Sequence, residues 1–382
     1  MKRNKNGFLL SLSLLSLIVL CVTTCNNKKQ VVLDDLKVYK VEKIEDVFLW
    51  DDFVEKVDVI PLETNPSSLI GTFYKGIVLE DDVFVLDRRY HTLINFDIGG
   101  NFKKKIGERG NGPDEYVEIR DFCVAGNDVY VLDYKKIHQY SKITGKKENT
   151  WSFNDFRGGF NPNNMFVFDK DVYFVWRSNP DVQNPEDDEC YRMHKMQEGK
   201  IKESFFRYTY PLTDDSRFFM LNEQSCYLRP IDGEDVVYKL TRDSLNAVFK
   251  IDFGSMAITA AEIIELRKNA QRDAYLASNK FKSISIVLEI KDYIFFRCTG
   301  PDKCRYEGLI SKQTGNVKFG ISTGTSPDFF FSDGTFLYGY YEPFIIDLHR
   351  NKNARSCFDS VWLNSENIKL DDNIVLVKVK LK

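Results

Sequence analysis

The sequence predicts an all-β chain, a six-bladed β-propeller of four-stranded antiparallel blades with one helical insertion between blades four and five. Three observations predict it: a strand motif that recurs at a near-constant interval, further strand-like runs around each copy, and tight-turn residues between the runs. The motif is Asp82-Val83-Phe84-Val85-Leu86-Asp87, returning as Asp128 to Asp133, Asp171 to Trp176, Asp292 to Phe296 and, weakly, Gly334 to Tyr338. Successive starts are 46, 43, 121 and 42 residues apart, and the long gap has room for one more unit at Ser225-Cys226-Tyr227-Leu228 plus an insertion. That makes six units.

Each element follows from local composition. Blade one reads as four β-rich runs, Tyr74 to Leu79, Val83 to Leu86, Leu93 to Phe96 and Phe102 to Ile106. Between such runs stand Glu80-Asp81-Asp82, Ile98-Gly99-Gly100-Asn101, Ala125-Gly126-Asn127-Asp128 and Ile143-Thr144-Gly145-Lys146, which suit hairpins needing positive φ or local side-chain hydrogen bonds. The intervals are too short for the helix of about 10 residues that a parallel α/β arrangement requires. The run Val54 to Leu62 precedes the first unit, and the last unit ends in Ile374 to Leu381, so the amino-terminal strand is expected to complete the final blade. Thr259-Ala260-Ala261-Glu262 reads as a capping box, followed by Ile263, Leu266 and Ala270 at helical spacing, which places a helix at about residues 260 to 278, between the strands Ala247 to Phe253 and Ser283 to Leu288.

Three segments carry a family likeness: Ile60-Pro61-Leu62-Glu63-Thr64, the stretch Phe102 to Ile106 running into Gly107-Glu108-Arg109-Gly110-Asn111-Gly112-Pro113-Asp114-Glu115-Tyr116, and Asp372-Asn373-Ile374-Val375-Leu376-Val377. Through them the chain resembles the six-bladed β-propeller lipoproteins of gut bacteria, themselves similar to NHL-repeat propellers. The resemblance covers nearly the whole mature chain. It implies a fold and no common reaction, and Ile374 departs from the proline expected after the Asp-Asn pair.

At the amino terminus Lys2, Arg3 and Lys5 precede an uncharged run from Phe8 to Val22, the layout of a secretory signal and too short to span a bilayer, which takes about 20 apolar residues. Val22-Thr23-Thr24-Cys25 resembles a bacterial lipobox with Thr24 in place of the usual smaller residue, which implies lipid attachment at Cys25. The expected organisation is a lipoprotein signal peptide over 1–24, a lipidated tether over 25–46 and the propeller over 47–382. Residues 26 to 33 carry no acidic side chain, and the expected address is the cell envelope at the outer membrane, more on the periplasmic side than on the surface.

The net charge of −3 becomes −6 once residues 1–24 are removed, and Lys103-Lys104-Lys105 reads as a solvated strand edge, so no nucleic-acid partner is expected. Six cysteines remain, Cys123, Cys190, Cys226, Cys298, Cys304 and Cys357. Cys298 and Cys304 flank a hairpin loop and have the spacing to face each other, yet a chain this long needs no staples and free thiols are expected. His91, His138, His194 and His349 are scattered, without metal-ligand spacing, so neither metal nor cofactor is expected.

Antiparallel order puts the loops after second strands and the blade-to-blade loops on one face of the disk. There lie Arg88, Arg177, Arg229 and Arg297 at the ends of second strands, the acidic loop Asn179 to Glu189, and the turn carrying Arg109, Asp114, Glu115 and Tyr116. These eight residues, the four second-strand arginines together with Arg109, Asp114, Glu115 and Tyr116, are the candidate ligand contacts, the second-strand arginines being suited to bidentate recognition of carboxylates or sulfates. No catalytic residue is identified, and Gly107, Gly110 and Gly112 do not have phosphate-loop spacing. The expected function is non-catalytic binding or scaffolding of glycan, peptide or protein by a propeller anchored to the membrane through Cys25. The alternative is a hydrolase or lyase with its site at the axial channel.

Overall fold

The structure, a computed structural model, describes residues 36–134, 136–153, 162–168, 171–176, 191–197, 200–207, 218–228, 233, 235–268, 278–282, 284–350, 356–363, 365 and 367–382. Two strands lead, β1 (Lys37–Lys40) and β2 (Val54–Pro61). Sheet one holds β3 (Phe73–Leu79), β4 (Asp82–Asp87), β5 (Thr92–Asp97) and β6 (Phe102–Lys105), and sheet two β7 (Ile119–Ala125), β8 (Asp128–Asp133), β9 (Lys136–Ser141) and β10 (Lys147–Ser152). Sheet three holds β11 (Pro162–Phe168), β12 (Asp171–Trp176), β13 (Tyr191–Gln197) and β14 (Lys200–Arg207). Sheet four holds β15 (Phe218–Asn222), β16 (Ser225–Leu228), β17 (Val236–Thr241), β18 (Leu245–Asp252) and, outermost, β1. Sheet five is β19 (Ile284–Glu289), β20 (Tyr293–Thr299), β21 (Arg305–Ser311) and β22 (Val317–Ile321); the last is β23 (Asp328–Ser332), β24 (Phe336–Tyr341), β25 (Val375–Leu381) and β2. The first strands β3, β7, β11, β15, β19 and β23 touch one another in that order and β23 returns to β3, which makes the assembly a propeller around an axis.

The expectation of six four-stranded antiparallel blades is corrected. Five blades have that form, and the remaining sheet has five strands and is mixed, because β1 adds to β18 in parallel from Lys37↔Phe249 to Lys40↔Asp252. Four residues show too little alternation to declare a strand, and β1 lies within the segment read as a tether. The single helical insertion is corrected too. Besides α1 (Ala260–Lys268), the helices α2 (Pro343–Arg350) and α3 (Asp359–Leu363) stand between β24 and β25. The capping box forms as expected: Thr259 N donates to Glu262 Oε2 at 2.9 Å and Glu262 N to Thr259 Oγ1 at 3.3 Å. Hydrogen bonding to Lys280 and Thr259 pulls the Glu262 carboxyl down to about 2. Positions 269–277 of the expected helix lie outside the described residues.

The strand motif owes its composition to burial on both sides. Val83, Phe84, Val85 and Leu86 are all within 1% of complete burial, as are Val129, Val131 and Leu132, whereas no residue of the outer strands β6 and β10 is buried. The motif's aspartates serve the turns. Asp87 accepts from Thr72 N, Arg89 N and Tyr90 N, and Asp133 accepts from Val117 N and Glu118 N, so each clamps the chain entering its sheet. The turn after β7 uses Gly126 at φ 58°. Cys123, Cys226, Cys298, Cys304 and Cys357 are free thiols, and Cys190 lies outside the described residues. Among the described residues no helix is long and apolar enough to cross a membrane.

Residues 37–61 form a belt across the outer edges of the last three sheets. After β1, Glu45 N donates to Phe319 O and Phe48 N to Ile321 O, both at 2.8 Å, on β22. The approach is close: a Cβ on Gly320 would sit 2.9 Å from the Glu45 carbonyl, so glycine is required. Trp50 then inserts beside Phe295 and Phe329, and β2 pairs with β25 from Val54↔Leu381 to Pro61↔Val375, the expected ring closure. Asn373 latches it. Buried to 2% exposure, its amide donates to Glu63 O and Ser68 O at 2.7 and 2.9 Å and accepts from Ile70 N at 2.7 Å. Asn373→Ala leaves three backbone groups without these partners and should cost about 3 kcal/mol in denaturant-induced unfolding, whereas exposed Asp371→Ala should stay within about 0.5 kcal/mol.

Candidate functional site: the axial cavity

A cavity of about 330 Å³ lies on the propeller axis. Every first strand lines it: Phe73, Tyr74, Lys75, Gly76 and Ile77 from β3, Cys123 from β7, Asn164 and Phe166 from β11, Phe218 to Met220 from β15, Ile286 and Leu288 from β19, and Asp328 to Phe331 from β23. Arg297 and Tyr340 add to the wall from second strands. Because Phe73 pairs with Asp87 and Asp328 with Tyr340, the cavity begins at the end of the channel where second strands finish. That is the face the antiparallel order of the sequence had indicated.

Each first strand carries a register shift, between Phe73 and Lys75 in β3, Ile119 and Asp121 in β7, Pro162 and Asn164 in β11, Met220 and Asn222 in β15, Ile284 and Ile286 in β19, and Phe329 and Phe331 in β23. Such irregularities bend a strand and re-aim its side chains. At this end of the channel the Phe73 ring lies 4.2 Å from Tyr340 and 4.9 Å from Phe330, centroid to centroid.

Two polar systems face the cavity. In the first, Lys75 Nζ donates to Asp121 Oδ1 at 2.7 Å and to Phe122 O at 2.8 Å, while Asp121 Oδ2 accepts Met165 N at 2.8 Å. One carboxylate thus ties three neighbouring first strands together. In the second, Arg297 donates from Nε and Nη2 to Glu307 Oε1 at 3.1 and 2.8 Å, from Nη1 to Asp328 Oδ1 at 3.2 Å and from Nη2 to Pro327 O at 3.0 Å. Trp50 Nε1 donates to the other Glu307 oxygen at 2.9 Å, and Arg305 pairs with Asp328. Burial pulls the Arg297 guanidinium below its ordinary value, opposed by Glu307, and burial raises the Tyr340 phenol.

The candidate residues separate accordingly. Arg297 reaches the cavity, but four of its five N–H groups are committed within the protein. Arg88 stands at the rim, its guanidinium 4.6 Å from the centroid of the cavity-lining Tyr74 ring. Arg109, Asp114, Glu115 and Tyr116 are absent from the cavity wall. Arg109 Nε donates to Val117 O, Asp114 is exposed, Glu115 accepts Gly112 N at 2.7 Å, and Tyr116 is buried against Tyr140, so these residues hold the turn between sheets one and two together. Arg177, Arg229 and the acidic loop lie outside the described residues. Lys75, its partner Asp121, Asn164, Asp328 and the phenylalanines of the wall were not legible as site residues, since they are scattered over different repeats with no spacing that joins them. Among the described residues no group of three or more His, Cys, Asp or Glu side chains is placed to hold a metal ion.

The profile of the domain of unknown function DUF4934 matches residues 36–380. The chain belongs to the DUF4934 family. No curated protein matches it. In fold this DUF4934 chain is similar to a Bacteroides fragilis protein described as exported, at a TM-score of 0.73 and 16% identity over 91% of this chain and 100% of that one. It is also similar to a DUF4221 family member from Bacteroides vulgatus, at a TM-score of 0.54 and 11% identity over 86% and 97% of the two chains. At these identities the likeness is one of fold.

The Arg297 network yields a stability prediction for the DUF4934 chain. Arg297→Met removes the bidentate partner of Glu307, which is completely buried, and should cost about 3 to 5 kcal/mol in denaturant unfolding. Adding Glu307→Gln to that variant should recover part of the loss, because the charge left behind is then gone.

Proposed function

We propose that this DUF4934 chain is an exported, lipid-anchored, non-catalytic binding module whose site is the axial cavity. The observation that carries the reading is a ring-enclosed cavity of small-molecule size with an aromatic wall and an unfilled donor: Asn164, 4% exposed, has no hydrogen-bond partner for Nδ2 among the described residues. Concave apolar sites with a few convergent polar groups are where proteins hold small ligands or single side chains of a larger partner. Glycan, peptide and protein ligands all present such groups, and Arg88 with Tyr74 at the rim is suited to meet whatever extends outward.

Occupancy is tested with a plain aromatic probe. Saturation-transfer NMR should show indole bound to the wild-type protein and no binding to Ile286→Trp, whose added ring fills the cavity from β19. Equal signals from both proteins would place the apolar site elsewhere.

Export and anchorage rest on the basic, apolar and Val22-Thr23-Thr24-Cys25 segments, and the fold shared with the Bacteroides fragilis protein described as exported agrees with them. The anchor would hold the propeller to the outer membrane within the cell envelope, on the periplasmic side. Cells fed an alkyne-bearing palmitate should label the wild-type protein and leave Cys25→Ala unlabelled. Labelling of both would end the case for a lipid at Cys25.

A further inference from the structure

The register of first against second strands aligns the repeats residue by residue. Lys75 pairs with Leu86, Asp121 with Leu132, Asn164 with Val175 and Ile286 with Arg297, each being the residue that follows the register shift in its strand. These residues form one tier around the axis. Its polar members, Lys75, Asp121 and Asn164, occupy β3, β7 and β11, which are consecutive in the ring. The other half of the cavity wall, on β15, β19 and β23, presents Phe218, Phe219, Met220, Ile286, Leu288 and Phe329 to Phe331, with Asp328 and, from β20, Arg297 already paired to each other. The donors of Lys75 and Asn164 therefore lie on one side of the axis.

The polar side has donors to spare. An ammonium has three N–H groups, and Lys75 uses two, on Asp121 and Phe122. Asn164 keeps its Nδ2. Asp121 brings the two residues together, since its carboxylate accepts both Lys75 Nζ and the backbone N–H of Met165, next to Asn164. Charge decides what kind of acceptor belongs there. Lys75 is already neutralised by Asp121 at 2.7 Å, and Arg297 and Arg305 by Glu307 and Asp328, so the wall is balanced before any ligand enters. A carboxylate moved into this setting would lose its hydration without gaining an unpaired cation, and would lie beside Asp121. A neutral carbonyl accepts the same two donors at a much smaller loss of hydration.

Resting on the axial-cavity reading, we infer that the ligand group is neutral and amphipathic, a carbonyl or carboxamide oxygen set against Lys75 and Asn164 with an apolar ring or branched chain against β15, β19 and β23. This differs from the anion recognition by second-strand arginines that the sequence suggested, because the free donors lie inside and the guanidinium that reaches the cavity is already paired. The chemistry is shared by a free small amide and by a residue of a peptide.

Isothermal titration of the mature wild-type protein with 3-phenylpropanamide, 3-phenylpropanoate and ethylbenzene tests it. The amide should bind at least about tenfold more tightly than the acid, whose charge loses its hydration beside Asp121, and than the hydrocarbon, since a site built to donate rejects a ligand lacking the acceptor. In Asn164→Leu the amide's advantage over ethylbenzene should shrink while ethylbenzene still binds. Tighter binding of the acid, or equal binding of all three, would overturn the inference and leave the axial site standing. No binding by any of the three would overturn both. N-acetylphenylalaninamide separates the sources: tighter binding than the simple amide supports a peptide-borne group, weaker binding a free small molecule.

Discussion

Everything in this fold depends on the pairing of β2 with β25. Each sheet of a propeller packs only on its two neighbours, so a ring built from a linear chain must be joined once, by residues from opposite ends of the sequence. Here the join is seven paired positions of backbone plus the Asn373 amide, which reaches three backbone groups in the segment that leaves β2. The two sequence segments that resembled the propeller lipoproteins at the chain's ends are the two halves of this joint. Their likeness is thus a likeness of closure, which explains why it foretold architecture and was silent on chemistry.

The axial cavity is a product of that closure. Its wall takes side chains from all the first strands, and none of those strands could present its share to the others if the ring were open. Asp121 bonds to residues of both neighbouring first strands and holds the polar arc, while Arg297 and Glu307, with Trp50 from the belt, hold the opposite side. The same charged groups that fix the wall also use up its charge, so the donors left for any ligand are the few N–H groups without a partner.

How much of this could be read in the sequence follows from where each signal is stored. The repeat was legible because second strands are buried on both faces and must be continuous runs, bracketed by aspartates that the turns require. The end of the disk that gathers the loops after second strands, where the cavity begins, follows from antiparallel order alone. Arg297 was noticed for its place at a strand end, but its partners Glu307 and Asp328 lie 10 and 31 residues away, on another strand and another sheet, and no spacing announces them. The tier of Lys75, Asp121 and Asn164 is hidden for a related reason: equivalent positions hold different residue types, and only strand register shows that they correspond. The strand β1 escaped because it is four residues long, and the helices after β24 because Pro343–Arg350 mixes buried Ile346 with exposed Phe344 and Leu348 in a stretch otherwise read as the approach to the last strand.

The belt has a mechanical meaning. Residue 36 lies at the outer edge of sheet four, whereas the joint lies two sheets further on, and between them the chain is fastened to β18, to β22 and by Trp50 in the core. A pull transmitted through residue 36 must peel these fastenings one after another before any load arrives at β2. The segment would therefore act as a strain relief, keeping the ring shut under a pull that enters through residue 36.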